Sequence, residues 1–282
     1  MDYAIEINNI SKQYKGFLLD KINLNIPKGS IVGLVGENGA GKSTLINLIL
    51  GISKPTEGNI NVLDCSNTSK EFTDTKQNIG VVLDSPCYPE AINVKQINNI
   101  MVLTYKNWDK EVFFEYIKKF KLPLDKKFKD FSKGMQMKLS LAVALSHKAT
   151  LLVMDEPTSG LDPFAREEIV ENFIDFTRDE NNTIFISSHI ISDLEKACDY
   201  IAYIHNGKLM LFEEKDAMFE KYGILKLSKK ELETLPEDAI ISKKENNFGF
   251  EVFVYRQRVN RGFTFEHASL EDIVINCIKL NK

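Results

Sequence analysis

The segment Gly36-Glu37-Asn38-Gly39-Ala40-Gly41-Lys42-Ser43-Thr44 fits the spacing G-x-x-x-x-G-K-[ST], whose residue types suit the binding of a polyphosphate. Glycine has no Cβ, so Gly36, Gly39 and Gly41 let the backbone curl close to an anion with its N–H groups turned inward. Lys42 offers a point charge to the β- and γ-phosphates of a nucleoside triphosphate, and Ser43 offers a hydroxyl to Mg2+. The flanks agree with this chemistry. Ser30–Val35 reads as a buried strand, and Thr44–Leu50 reads as a helix whose positive N-terminal end favours phosphate. A chance glycine turn is the competing reading, and the strand–loop–helix context argues against it.

A second cluster, Leu151-Leu152-Val153-Met154-Asp155-Glu156, is four apolar residues followed by two acids. Such an apolar run is a buried parallel strand of an α/β protein. Asp155 then sits at the carboxyl end of the strand, where open α/β sheets bind ligands. There Asp155 can hold Mg2+ through water, and Glu156 can polarise the water that attacks a γ-phosphate. Alone, the pair would read as a strand running into a solvated acidic turn. Beside a phosphate loop, the catalytic reading prevails.

The elements needed to carry these residues can be sketched. Residues 2–35 read as short strands in a partly antiparallel sheet, broken at Lys15-Gly16 and Pro27-Lys28-Gly29. Residues 36–83 hold the loop, its helix, a turn at Pro55–Gly58 and two further strands. Residues 88–147 are helix-rich, with apolar residues at helical spacing in Val94–Leu103 and Glu111–Phe120, and a helix over Met137–His147. Strand–helix alternation returns from 150 to 212: a strand to Asp155, a helix from Pro163, a strand at Thr183–Ser187, a helix to Ala197, then Tyr200–His205. Asn206-Gly207 is a hairpin signal leading to a strand at Lys208–Phe212. Residues 213–282 predict a small appended α+β unit: a charged helix (Glu213–Tyr222) and strands at Ala239–Ser242 and Phe248–Tyr255.

Further motifs carry a family resemblance. Phe131-Ser132-Lys133-Gly134-Met135 resembles the signature loop, usually Leu-Ser-Gly-Gly-Gln, of the ATP-binding subunits of ABC transporters. Pro157-Thr158-Ser159-Gly160-Leu161-Asp162 resembles the D-loop of that family. Ser187-Ser188-His189 resembles its switch-histidine loop, and Tyr14 its adenine-stacking aromatic residue. With the phosphate loop and the acidic strand, these motifs stand in the family's order over about residues 2–212. The resemblance implies a P-loop NTPase fold: an α/β ABC ATPase domain with an antiparallel β subdomain and a helical subdomain at about 88–147.

It also implies a working cycle. Two subunits, identical or not, would dimerise head to tail around two Mg·ATP. Each site would combine one phosphate loop with Ser132 and Gly134 of the other chain, and His189 would contact the γ-phosphate. A separate membrane-spanning permease would be driven, placing the chain at the cytoplasmic face of the membrane. Ser-Lys-Gly-Met at 132–135 and the ending Ser269-Leu270-Glu271-Asp272 resemble exporters of drugs, antibiotics and peptides. One departure is Asp84, where the family usually carries a Gln. A carboxylate is a hard oxygen ligand that can still sit near Mg2+, but when ionised it donates no hydrogen bond. A second departure is Lys133 with Met135 in the signature loop. The loop after Asp84, Ser85-Pro86-Cys87-Tyr88-Pro89, lies beside the groove where this family receives a short helix of the permease.

Composition sets limits. The chain has 282 residues, 43% apolar and 27% charged, enough for a sizeable core. No apolar run approaches the ~18 residues of a membrane span, and the N-terminus has no secretory pattern. A net charge of −4 gives no support for a nucleic-acid partner. Cys65, Cys87, Cys198 and Cys277 show no zinc or redox spacing and read as reduced thiols. His147, His205 and His267 read as structural. The aromatic set Phe113, Phe114, Tyr116 and Phe120 reads as helix packing, and the lysines of 118–133 as a solvated face. A soluble ABC protein of translation or DNA repair is the alternative. A single phosphate loop and the lack of sustained heptads disfavour it, and Glu156 with His189 disfavours a purely regulatory nucleotide-binding module.

Overall fold

The first two strands, β1 (Tyr3–Tyr14) and β2 (Phe17–Pro27), pair antiparallel through the tight reversal Tyr14↔Phe17. They bury one apolar series, Ile5, Ile7 and Ile10 against Leu19, Ile22 and Leu24. The structure, a computed structural model, describes residues 2–85, 88–260 and 262–280. Within it, β3 (Ile31–Val35) leaves this sheet, which corrects the grouping of residues 2–35. All five of its residues are buried, as in a parallel strand covered on both faces. Then α1 (Lys42–Ile49) follows, and β4 (Glu57–Val62) and β5 (Cys65–Ser66) complete a four-stranded sheet ordered β2-β1-β4-β5.

After a short helix α2 (Phe72–Thr75), β6 (Ile79–Val82) enters the main sheet. Three helices follow before the next strand: α3 (Val94–Thr104), α4 (Lys110–Lys119) and α5 (Lys133–Leu145). Each start is set by a polar side chain, as expected for an N-cap. Asn93 and Gln96 form a capping box at α3, Asp109 accepts from Glu111 and Val112 N–H at α4, and Ser132 accepts from Met135 N–H at α5. The last cap moves the helix start from the expected Met137 back to Lys133, so the signature-like segment is itself the first turn. Next come β7 (Leu151–Asp155), α6 (Pro163–Phe176), β8 (Thr183–Ser188), α7 (Ile191–Ala197), β9 (Tyr200–His205) and β10 (Lys208–Glu214). The turn between the last two uses Asn206 (φ 47) and Gly207 (φ 76), the left-handed pair that a tight hairpin needs.

The main sheet is ordered β10-β9-β3-β8-β7-β6, and β9, β3, β8, β7 and β6 run parallel. Their carboxyl ends therefore share one edge. The helical segment is held by a flat aromatic contact. Tyr105, just past α3, stacks on His147 with centroids 3.9 Å apart and planes 10° from parallel. His147 Nδ1 faces the Gln77 carbonyl at 3.1 Å, and burial pushes its pKa down, leaving the ring neutral near pH 7. Trp108 also stacks near Tyr105, with centroids 6.3 Å apart, and donates to Asn98 Oδ1 at 3.1 Å.

Contacts divide the chain into two units, Met1–Phe212 and Glu213–Lys282. The second has a three-stranded antiparallel sheet ordered β11-β13-β12, from β11 (Tyr222–Leu227), β12 (Ile240–Asn246) and β13 (Gly249–Tyr255). Helices α8 (Lys215–Lys221), α9 (Lys229–Leu232) and α10 (Leu270–Leu280) accompany it. Leu225, Leu227, Leu235, Val252 and Val254 form its core. The helix expected to run to Tyr222 stops at Lys221, and Tyr222 opens a strand that the sequence reading lacked. Cys65, Cys198 and Cys277 form no disulfide with one another. Pro86 and Cys87, singled out in the sequence, lie outside the described residues.

The C-terminus of α1 is closed by a distant residue. Asn67, buried, donates Nδ2–H to the carbonyls of Leu48 at 2.6 Å and Ile49 at 3.3 Å. Asn67→Ala should therefore cost about 1–3 kcal/mol, the penalty for leaving buried acceptors unmade. Chemical denaturation with an unchanged m-value would check it.

Candidate active site

Residues just beyond β3, β6 and β7 line a cleft of about 600 Å3, together with the β1–β2 turn. Its wall is Gly16, Phe17, Glu37, Asn38, Gly39, Gly41, Lys42, Ser43, Thr44, Asp84, Asp155 and Glu156. This is the edge where parallel sheets present their ligand sites.

The loop geometry admits only glycine at Gly41, which has φ 115. A Cβ there would meet Phe17 Cζ at 2.9 Å and Leu19 Cδ1 at 3.0 Å. The helix α1 starts directly afterwards with no side-chain cap and no acid in its first turn. Its first N–H groups are left for an anion to satisfy. Lys42 is buried; its Nζ donates to the Gly36 carbonyl at 2.7 Å and lies 3.4 Å from Glu156 Oε1.

Asp155 ends β7 opposite Ser187 of β8. Its Oδ1 accepts a 2.5 Å hydrogen bond from Ser187 Oγ, and both residues are buried. Glu156 then turns into the left-handed region, φ 52. Its N–H donates to the Ser187 carbonyl at 3.1 Å and to Ser187 Oγ at 3.2 Å. Its carboxylate is gripped from two sides: Oε1 by Lys42, and Oε2 by His189 Nδ1 at 2.6 Å and His189 N–H at 3.2 Å. A carboxylate held between a lysine and an imidazole beside a loop suited to phosphate can take a proton from water.

The cleft gathers most of the residues singled out in the sequence, but not all. Gly36 and Ala40 shape the loop from behind the wall. Ser132 and Gly134 lie at the start of α5, where a Cβ on Gly134 would sit 3.0 Å from Leu161 Cδ2; neither lines the cleft. Tyr14 does not line it either. Its hydroxyl faces Ser53 Oγ at 3.4 Å and Lys12 covers its ring, because the reversal at Lys15-Gly16 turns Phe17 into the wall instead. Asp84 does line the cleft, with its Oδ1 paired to Lys133 Nζ at 2.7 Å. The sequence reading did not assign individual roles to Phe17, Ser187 or Lys133. Lys133 left a signal as a departure from the usual signature loop and Ser187 as part of the switch-histidine motif, whereas Phe17 left none.

Among the described residues, no three His, Cys, Asp or Glu side chains cluster as a metal centre. The cleft instead offers single oxygen donors, the Ser43 hydroxyl and the carboxylates of Asp84 and Asp155. That set fits Mg2+, which keeps waters and takes one or two carboxylates beside phosphate oxygens.

Known proteins resemble this chain in sequence and fold. The family model for ABC transporters matches residues 19–159. The lantibiotic transport ATP-binding protein SrtF of Streptococcus pyogenes is 36% identical over 75% of this chain and 91% of its own length. The bacitracin transport ATP-binding protein BcrA of Enterococcus faecalis is 33% identical over 74% of this chain and 69% of its own. Among solved structures, cbiO1 of Clostridium perfringens, part of an ABC transporter complex, has a TM-score of 0.65 at 27% identity, covering 78% of this chain and 91% of that one. A dimeric ATP-binding cassette solved with ADP and phosphate superposes with a TM-score of 0.68 at 24% identity, over 75% and 98% of the two chains.

Ser187 is the junction between the two acids. Ser187→Ala should destabilise the fold by about 1–3 kcal/mol, because a buried carboxylate oxygen loses its donor. Measured beside Asp155→Asn and the double variant, the losses should fall short of additivity, since both changes break one contact.

Proposed function

This chain belongs to the family of ATP-binding subunits of ABC transporters, and from that premise we propose a role for each residue of its cleft. The protein is an ATPase whose hydrolysis powers transport. Lys42 and the N–H groups of Gly39, Gly41, Ser43 and Thr44 hold the β- and γ-phosphates, with Glu37, Asn38 and Ala40 shaping the loop. Lys42 exchanges its contact with Glu156 for the γ-phosphate. Mg2+ would be held by Ser43, Asp155 and Asp84, and its chemistry there is to neutralise charge on the β- and γ-oxygens. Glu156 takes the proton of the attacking water, and His189 orients that carboxylate and contacts the γ-phosphate. Phe17, in the wall, supplies the aromatic surface for adenine in place of Tyr14, the residue expected to stack.

One observation carries this reading: the Glu156 carboxylate, held between Lys42 and His189 over the phosphate loop. Binding alone requires neither acid nor imidazole there. Ser132 and Gly134 do not line the cleft of their own chain, which supports a head-to-tail dimer with a second, identical or related, ATP-binding subunit that completes each site.

Among the described residues no helix is long and apolar enough to cross a membrane. A separate permease would supply the spans, with this chain at its cytoplasmic face. A groove of about 240 Å3 beside Asp84, lined by Val81, Leu83, Tyr88, Met101 and Tyr105 among others, supports docking of a permease helix. The named relatives transport bacitracin and lantibiotics, so the cargo proposed here is an exported antibiotic, drug-like molecule or peptide. They are also transport proteins, which disfavours a role in translation or DNA repair.

Glu156→Gln should keep ATP binding and lose about 10²- to 10⁴-fold in turnover, as expected for loss of a general base, and ATP should then trap the dimer. Unaltered turnover at equal folding would remove Glu156 from the mechanism. Lys42→Ala should instead weaken ATP binding about 10- to 100-fold, the effect of losing charge-assisted hydrogen bonds, as read by equilibrium titration. Tyr88→Glu should impair co-purification with the permease while leaving ATP binding by the isolated chain intact. Normal assembly and transport would refute the groove.

A further inference from the structure

Two departures from the family's usual residues meet in space. Asp84 stands where a Gln is usual, Lys133 where the signature loop usually has Gly, and their side chains join at 2.7 Å across 49 positions of sequence. Lys133 is the first residue of α5. Its stem crosses Gly160, where a Cβ would stand 3.5 Å from Lys133 Cδ. Beside it, Gly134 approaches Leu161. One side chain thus spans three loops: its own turn, the Gly160–Leu161 loop and the Asp84 loop that lines the cleft. A Gln facing a Gly could form no such pair; it exists only because both positions differ.

Both side chains are about half-exposed, so the pair is a weak one. A divalent cation is a stronger partner for a hard carboxylate than a hydrated ammonium. The geometry points to Lys133 as a positioning residue that competes with Mg2+ for Asp84. When the cation arrives with nucleotide, Asp84 changes partner, and the Ser132–Gly134 turn is released from the Asp84 loop. The cleft of one subunit thereby controls the turn that would complete the other subunit's site. This inference rests on the reading above that Asp84 faces Mg2+.

The test is a double-mutant cycle read by Mg2+ affinity, not turnover. Mg2+ is titrated into full-length protein with a non-hydrolysable ATP analogue, in wild type, Lys133→Gln, Asp84→Asn and the double variant. Lys133→Gln should tighten Mg2+ about two- to fivefold, the scale of an exposed ion pair, and this gain should vanish in the Asp84→Asn background. Lys133→Arg, which keeps the pair, should match wild type. An equal gain with and without Asp84 would reduce Lys133 to a general charge effect and overturn the proposal, as would no gain at all. If Asp84→Asn alone leaves Mg2+ affinity unchanged, the assignment of Asp84 to the cation has failed, and the competition with it.

Discussion

Asp155 and Glu156 are neighbours in the chain with different work to do, and the cleft depends on the turn that separates them. In a continued strand, successive side chains alternate faces, and Glu156 would leave the floor. A φ of 52 at Glu156 breaks the alternation. For a residue with a Cβ that conformation costs about 1–2 kcal/mol, offset by the two hydrogen bonds from Glu156 N–H to Ser187. Those bonds exist only if β7 and β8 are adjacent with Asp155 opposite Ser187. The crossover through α6, with its Asp162 cap and Pro163 start, brings the chain back to that register. A local backbone angle at the site thus draws on the order of the whole sheet.

The parallel strands were legible because burial on both faces leaves an uninterrupted apolar run, as in Leu151–Met154. The phosphate loop was legible because every glycine, lysine and serine in it answers a local demand. The start of α5 was misplaced because Lys133-Gly134-Met135-Gln136 shows no apolar periodicity; its real marker was Ser132, an N-cap. The strand β11 escaped notice because its six residues follow directly on a charged helix. Exchange of Tyr14 for Phe17 in the wall is decided by a two-residue reversal, which spacing alone does not orient. The contacts that finish the site, Ser187 with Asp155 and Lys133 with Asp84, join residues 32 and 49 positions apart. No local pattern reports pairs so distant.

The stacked rings of Tyr105 and His147 determine how a push on α3 can travel. Two flat surfaces 3.9 Å apart resist being pulled open, since opening wets both, but gliding within their shared plane exposes little new area. The joint therefore ties Tyr105 to the segment that carries Gln77. His147 faces the Gln77 carbonyl, and Gln77 leads through β6 to Asp84. A displacement of α3 at Tyr105 would thus be felt at the strand that leads to the cleft.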